Sequence, residues 1–243
     1  MKAYDISTYG DRIADIYDER HRELDPGDAV EMLAELAGGG PALELAIGTG
    51  RIALPLAARG LDVHGIDASE AMVAKLRAKP GGLAIPVTIG DFADVAVDGR
   101  YSLIYVAFNT FFALLTQDDQ VRCFANVAER LTEGGVFVLE VFVPDLSRFD
   151  RGQRIRVDAV ELDEVKLGVE RHDAVNQISN SMYVVVREDG IRLYPVKIRY
   201  AWPAELDLMA KLAGLRLRER FGGWTRERFT DTSGQHVSVY ARA

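Results

Sequence analysis

Hydrophobic and polar positions recur along this chain at two different periods, and the change of period divides it. Between about residues 42 and 143, short apolar runs alternate with stretches of helix-like spacing. Strands are predicted at about 42–47, 62–66, 85–89, 101–107 and 136–143, and helices at about 51–59, 69–79 and 118–131. Ser69 is placed as the N-cap of the second helix, and Glu133-Gly134-Gly135 as the turn into the fifth strand. Strands alternating with helices predict an α/β fold, a mostly parallel sheet wound by right-handed crossovers.

The flanks read differently. Tyr4 to Arg22 mixes aromatic and aliphatic residues with acids, as in one or two short amphipathic helices. Asp25-Pro26-Gly27-Asp28 is a break and cap before a helix at about 29–37, which Gly38-Gly39-Gly40-Pro41 ends. After Pro144 the period falls to two residues, as in Ser181 to Arg187 and Val196 to Tyr200, with Glu188-Asp189-Gly190 as a hairpin turn. This predicts an antiparallel insertion of three or four strands over about 154–200. A helix at about 204–213 and strands at 215–221 and 236–242 close the chain, the last two as an antiparallel hairpin at the sheet edge. The expected division is a helical segment (1–40), a nucleoside-binding core (41–150), the β insertion (151–200) and a completion of the core (201–243).

Composition narrows the functional classes. A chain of 243 residues with 48% hydrophobic and 27% charged residues has the make-up of a globular protein with a substantial core. The net charge of -8 argues against nucleic acid as the main partner, since phosphate binding needs clustered Lys and Arg. The single Cys123 cannot form an intrachain disulfide or a cysteine metal cluster, and the four histidines lack metal-ligand spacing, so no metal site is expected. No apolar run approaches a membrane span and none reads as a signal peptide, which suggests a cytoplasmic protein without a membrane partner.

The chemistry concentrates where the first strand breaks into Gly48-Thr49-Gly50-Arg51. Glycines at such a turn let backbone N–H groups approach a ligand. Asp67 ends the next strand, so a strand, a glycine turn, a helix and a strand-end carboxylate form a nucleoside half-site. Gly48-x-Gly50-x-x-Ala53 with Asp67 fits a loose dinucleotide fingerprint. Glu44 inside the first strand, Gly90-Asp91-Phe92 after the third, and Leu131-Thr-Glu-Gly134-Gly135 before the fifth turn the reading away from NAD.

With these residues the chain resembles the class I S-adenosylmethionine-dependent methyltransferases over roughly residues 40–143. The family's acidic-x-Gly-x-Gly-x-Gly motif reads here Glu44-x-Ala46-x-Gly48-x-Gly50, with Ala46 in place of the first glycine. Gly65-Ile-Asp67-Ala68-Ser69-Glu-Ala-Met72 and Gly90-Asp91-Phe92 match the next two motifs. The resemblance implies a Rossmann-like, mostly parallel seven-stranded sheet with the antiparallel insertion after strand 5, and S-adenosyl-L-methionine as cofactor. It assigns the ribose hydroxyls to Asp67, the adenine amino group to Asp91, the base to Phe92 and, indirectly, the methionine end to Glu44, with Arg51 among the cofactor-binding residues. Ala46, Gly48, Gly50, Ala68, Met72 and Gly90 fall on the same motifs, and Phe108 matches the family position near the methyl group. Tyr9 and Tyr17 stand eight apart near one helical face, close to His21, like the leading helices that cap the cofactor in small-molecule methyltransferases.

Methyl transfer from a sulfonium asks mainly for alignment, because the leaving group is already good. The acceptor is expected over the ends of strands 4 and 5. Glu140, a carboxylate in an apolar strand, is a candidate base or amine binder, with Asn109 and His172 as further candidates, although no base is strictly required. The insertion is placed as in sugar-amine N-methyltransferases, where such strands cover substrate and pair subunits, so methyl transfer to a nitrogen or oxygen of a small molecule (an amino sugar or other secondary metabolite) and a homodimer are expected. Two alternatives remain: an NAD-dependent oxidoreductase, although no Tyr-x-x-x-Lys pattern occurs, and a non-catalytic S-adenosylmethionine-binding module.

Overall fold

The structure, a computed structural model, describes residues 4–243. Its main sheet has seven strands: β1 (Ala42–Leu45), β2 (Val63–Asp67), β3 (Val87–Ile89), β4 (Tyr101–Val106), β5 (Leu131–Phe142), β10 (Leu215–Phe221) and β11 (Gln235–Arg242). They lie in the order β10-β11-β5-β4-β1-β2-β3. β1 to β5 are parallel, and β11 runs antiparallel to both neighbours, as the closing hairpin predicts. Strand order reverses between β1 and β4, which opens a crevice at their carboxyl ends.

Both sheet faces are covered, so the central strands are continuous apolar runs. Along β4, Ile104 and Val106 join Phe111, Phe124 and Phe137 on one side. Leu103 and Tyr105 join Leu33, Ile52 and Leu56 on the other. The first side is closed by α6 (Gln117–Arg130) and α7 (Pro203–Leu212), the second by α3 (Gly27–Ala37) and α4 (Ala53–Ala58). α5 (Glu70–Arg77) starts as predicted, the Ser69 hydroxyl accepting from the Met72 N–H at 3.2 Å.

Two boundaries differ from expectation. β1 ends at Leu45, because Ala46 already turns with φ +58°. β5 begins at Leu131, before the glycine turn rather than after it. Its register jumps from Tyr101↔Leu131 to Leu103↔Val136, so the intervening residues bulge out of a continuing strand.

After β5 the chain forms a second sheet, β6 (Gln153–Val160), β7 (Glu164–Asp173), β8 (Ile178–Arg187) and β9 (Gly190–Arg199), an antiparallel meander in chain order. The pairs Ile155↔Val169, Val157↔Leu167 and Val184↔Leu193 give it one aliphatic face. On the opposite face Tyr183 and Tyr194 pair at 6.0 Å and meet the N-terminal helices α1 (Thr8–Ile13) and α2 (Tyr17–Arg20). The Arg20 guanidinium lies 3.4 Å over the Tyr183 ring, and Tyr194 packs into a small cluster with Ile13 and Met72. The N-terminal helices are thus held between the insertion and the crevice. No helix among the described residues is long and apolar enough to cross a membrane.

Candidate active site

Three left-handed residues shape the turn after β1: Ala46 (φ +58°), Gly48 (φ +58°) and Gly50 (φ +78°). The backbone holds at Ala46 the conformation that a glycine would favour, at a cost of about 1–2 kcal/mol. Gly50 serves packing: a Cβ there would lie 2.3 Å from Leu76 Cδ1, so its absence lets the turn press on α5.

Asp67 ties this turn to the next motif. One carboxylate oxygen accepts from the Gly48 N–H at 2.7 Å, the other from the Ser69 N–H at 2.8 Å. Burial pushes its carboxyl up against the opposing pull of those N–H groups. The N-terminal helices fasten beside it. Ser69 donates to Asp11 at 2.6 Å, and Thr49 donates to Asp18 at 2.6 Å. Lys79 reaches both Asp18 (2.7 Å) and the Thr49 carbonyl (2.8 Å). Gly10 permits this approach, since a Cβ would sit 2.5 Å from that of Ser69.

Under the helices lies a cavity of about 280 Å³. Of the residues expected from the sequence to hold a cofactor, Tyr9, Tyr17, Glu44, Ala46, Gly48, Arg51, Asp67, Ala68, Met72, Asp91, Phe92 and Phe108 line it, and Gly50 and Gly90 do not. Asp91 accepts from the Ala93 N–H at 2.9 Å through one oxygen. Thr49, Ser69, Leu114 and Asp119 also line the cavity and are not singled out by the sequence as site residues. Of these, only Ser69 carried a local signal, its capping position.

At the far end, Glu44 is buried and accepts from the Tyr105 hydroxyl at 2.9 Å. Burial pushes its carboxyl up to about 8, opposed by the Tyr105 hydrogen bond and the Arg51 charge. The Arg51 guanidinium stands 4.8 Å over the Phe108 ring, and its buried Nε has no hydrogen-bond partner. An orphaned cationic donor in a cavity wall fits the carboxylate of an amino-acid ligand. His21 donates from Nδ1 to the Tyr17 carbonyl at 2.8 Å, and its ring meets Tyr17 at 4.5 Å and Phe108 at 5.1 Å. Burial holds its imidazole below the usual range.

The structure does not bring the three candidate catalytic residues into the cavity lining. Glu140 accepts from the Phe108 N–H at 2.6 Å, and Asn109 accepts from the Phe142 N–H at 2.6 Å. Both side chains satisfy backbone groups where the β4–β5 ladder has ended. His172 is sandwiched between Phe149 (4.6 Å) and Tyr200 (5.5 Å), hydrogen-bonded to the Tyr200 hydroxyl at 2.9 Å. It packs at the base of the insertion. Among the described residues no His, Cys, Asp and Glu cluster suits a metal ion.

Glu44 gives a pH signature in the ligand-free protein. Its folded value lies above that of an exposed carboxylate, so its contribution to stability is full below about pH 4.5 and is lost as pH rises through about 8. Glu44→Gln does not titrate. The stability of the wild type minus that of the variant, from denaturant unfolding, therefore falls by on the order of 3 kcal/mol between pH 5 and pH 8. A difference that stays constant with pH contradicts this.

Comparison with known proteins agrees with the motifs. A methyltransferase domain model matches residues 42–135. The structure of the CcbJ methyltransferase from Streptomyces caelestis is 43% identical, covering 99% of this chain and 100% of that one at a TM-score of 0.93. The cypemycin N-terminal methyltransferase of a Streptomyces species is 25% identical over 98% of this chain and 99% of its own length. CalS10, an amino pentose methyltransferase from Micromonospora echinaspora solved with S-adenosylmethionine bound, shares the fold at 21% identity, full coverage of both chains and a TM-score of 0.69. The oxidoreductase alternative finds no support among these relatives. The chain belongs to the class I S-adenosylmethionine-dependent methyltransferases and uses S-adenosylmethionine as its methyl donor.

Proposed function

We propose that the chain methylates an amine nitrogen of a small natural product, with the donor held in the cavity beneath the N-terminal helices. The observation that carries this reading is the convergence on one cavity of Asp67, Asp91 and Arg51, whose buried Nε has no partner in the protein. The bound donor supplies an activated methyl group. Carbon–sulfur cleavage accompanies formation of the nitrogen–carbon bond, and the nitrogen gives up a proton.

The protein's part is orientation. Asp67 keeps lone pairs free for two ribose hydroxyls beyond the two N–H groups it already accepts. Asp91 has an oxygen for the adenine amino group, while Phe92 and Leu114 offer apolar walls to the base. Arg51 takes the methionine carboxylate. Tyr9, Tyr17 and Phe108 surround the sulfonium, whose positive charge favours aromatic faces. Nitrogen is favoured as the acceptor atom because the full-length relative acting on cypemycin is an N-terminal methyltransferase. An uncharged amine attacks without a dedicated base.

The N-terminal helices act as a lid, which the insertion holds down through Tyr183 and Tyr194 while it flanks the acceptor. The insertion's other face pairs two copies. Ile155 (74% exposed), Val157 (60%), Ile191 (61%) and Leu193 (49%) present aliphatic surface of a kind that monomers rarely leave open. We place this homodimer in the cytoplasm, consistent with its single free thiol.

Two measurements test the reading. In calorimetry, S-adenosylhomocysteine binds the wild type, and Asp67→Ala weakens it by about tenfold or more, as expected for lost charged hydrogen bonds. Unchanged affinity refutes the ribose assignment. In sedimentation equilibrium the wild type is a dimer and Val157→Lys with Leu193→Lys gives monomers, whereas a monomeric wild type at tens of micromolar refutes the pairing.

A further inference from the structure

Phe108 and Asn109 are consecutive residues in the left-handed region, at φ +58° and φ +65°. Asparagine tolerates this conformation, but a bulky aromatic residue there costs roughly 1–3 kcal/mol and persists only where its surroundings enforce it. The enforcing contacts come from β5. Backbone pairing between β4 and β5 ends at Val106↔Leu139. Beyond it, the Phe108 N–H donates to Glu140 Oε2 at 2.6 Å and the Asn109 N–H to the Glu140 carbonyl at 3.1 Å. In return the Phe142 N–H donates to Asn109 Oδ1 at 2.6 Å. Side chains thus continue the ladder through two strained residues. The outcome is the placement of one ring, that of Phe108, between the Arg51 guanidinium at 4.8 Å and the His21 ring at 5.1 Å.

We propose that Glu140 and Asn109 are positioning residues, a clamp that holds Phe108 in its strained backbone so that the ring faces the donor's sulfonium. They act through Phe108 and carry no proton from the acceptor. The proposal rests on the placement of the donor given above. It assigns the carboxylate in an apolar strand to a backbone N–H partner, whose need for an acceptor is the same whatever the substrate.

The test needs no acceptor, because the ring distinguishes a cationic sulfonium from a neutral thioether. Affinities for S-adenosylmethionine and S-adenosylhomocysteine are measured by calorimetry, and their ratio is the readout. A cation–aromatic contact accounts for a preference of about fivefold for the cation. Phe108→Ala and Glu140→Ala each abolish it, and the double variant does no more than either alone, since both remove the same contact. Glu140→Gln retains the preference, because its amide oxygen accepts from the same N–H. Should Glu140→Ala fail to fold, Asn109→Gly keeps the left-handed backbone while removing the bond to Phe142, and it lowers the preference likewise. A wild type without preference, a Glu140→Gln variant as impaired as Glu140→Ala, or additive losses in the double variant each overturn the clamp. Absence of binding by either ligand to the wild type instead refutes the donor site.

Discussion

The carboxylate of Asp67 joins the turn after β1 to the start of α5. Its two oxygens fix the Gly48 N–H in one motif and the Ser69 N–H in the next, so the turn after β1 and the start of α5 share one anchor. Ser69 then caps α5 through Met72 and holds Asp11 of the N-terminal segment. A single buried acid therefore sets the spacing of the turn, the helix and the lid. Burial raises its pKa despite the two N–H bonds, so further hydroxyl donors would relieve a desolvated charge. The ribose hydroxyls proposed for this carboxylate would supply such donors.

The opposite end of the cavity follows a second logic. Here Tyr105 donates to Glu44 and the Arg51 guanidinium lies over Phe108. Glu44 accepts from Tyr105 yet remains desolvated, and the Arg51 Nε has no partner. A zwitterionic amino-acid moiety complements both. The N-terminal helices fasten beside Asp67, through Asp11 on Ser69 and Asp18 on Thr49. These bonds tie the N-terminal helices to the turn and to the start of α5.

Local chemistry was legible in the sequence and long-range partnership was not. The glycine turn, Asp67 at a strand end and the Ser69 cap depend on neighbours within a few residues, and the structure places them as the pattern predicts. The four-stranded meander likewise follows from two-residue alternation and one hairpin turn. Glu140 shows the limit. Its position in an apolar strand says that the carboxylate needs a partner, but the partner is the Phe108 N–H, 32 residues earlier and just past the end of β4. Asn109, a candidate from its place after strand 4, and His172, a candidate from its place in the insertion, are held by a backbone N–H and by ring stacking. Gly10 left no signal, since its smallness matters only against Ser69, 58 residues beyond its neighbour Asp11. Ala46 is the reverse case, a departure from the motif that the backbone absorbs by adopting the glycine conformation regardless.

The central claim is that one cavity under the lid holds the methyl donor in a single orientation. A crystal structure of the protein with S-adenosylhomocysteine tests it most directly. Ligand density is expected with the ribose on Asp67, the adenine between Asp91 and Phe92, the carboxylate on Arg51 and the sulfur facing Phe108. Density for an ordered ligand outside this cavity, or within it with adenine and methionine ends exchanged, would contradict it.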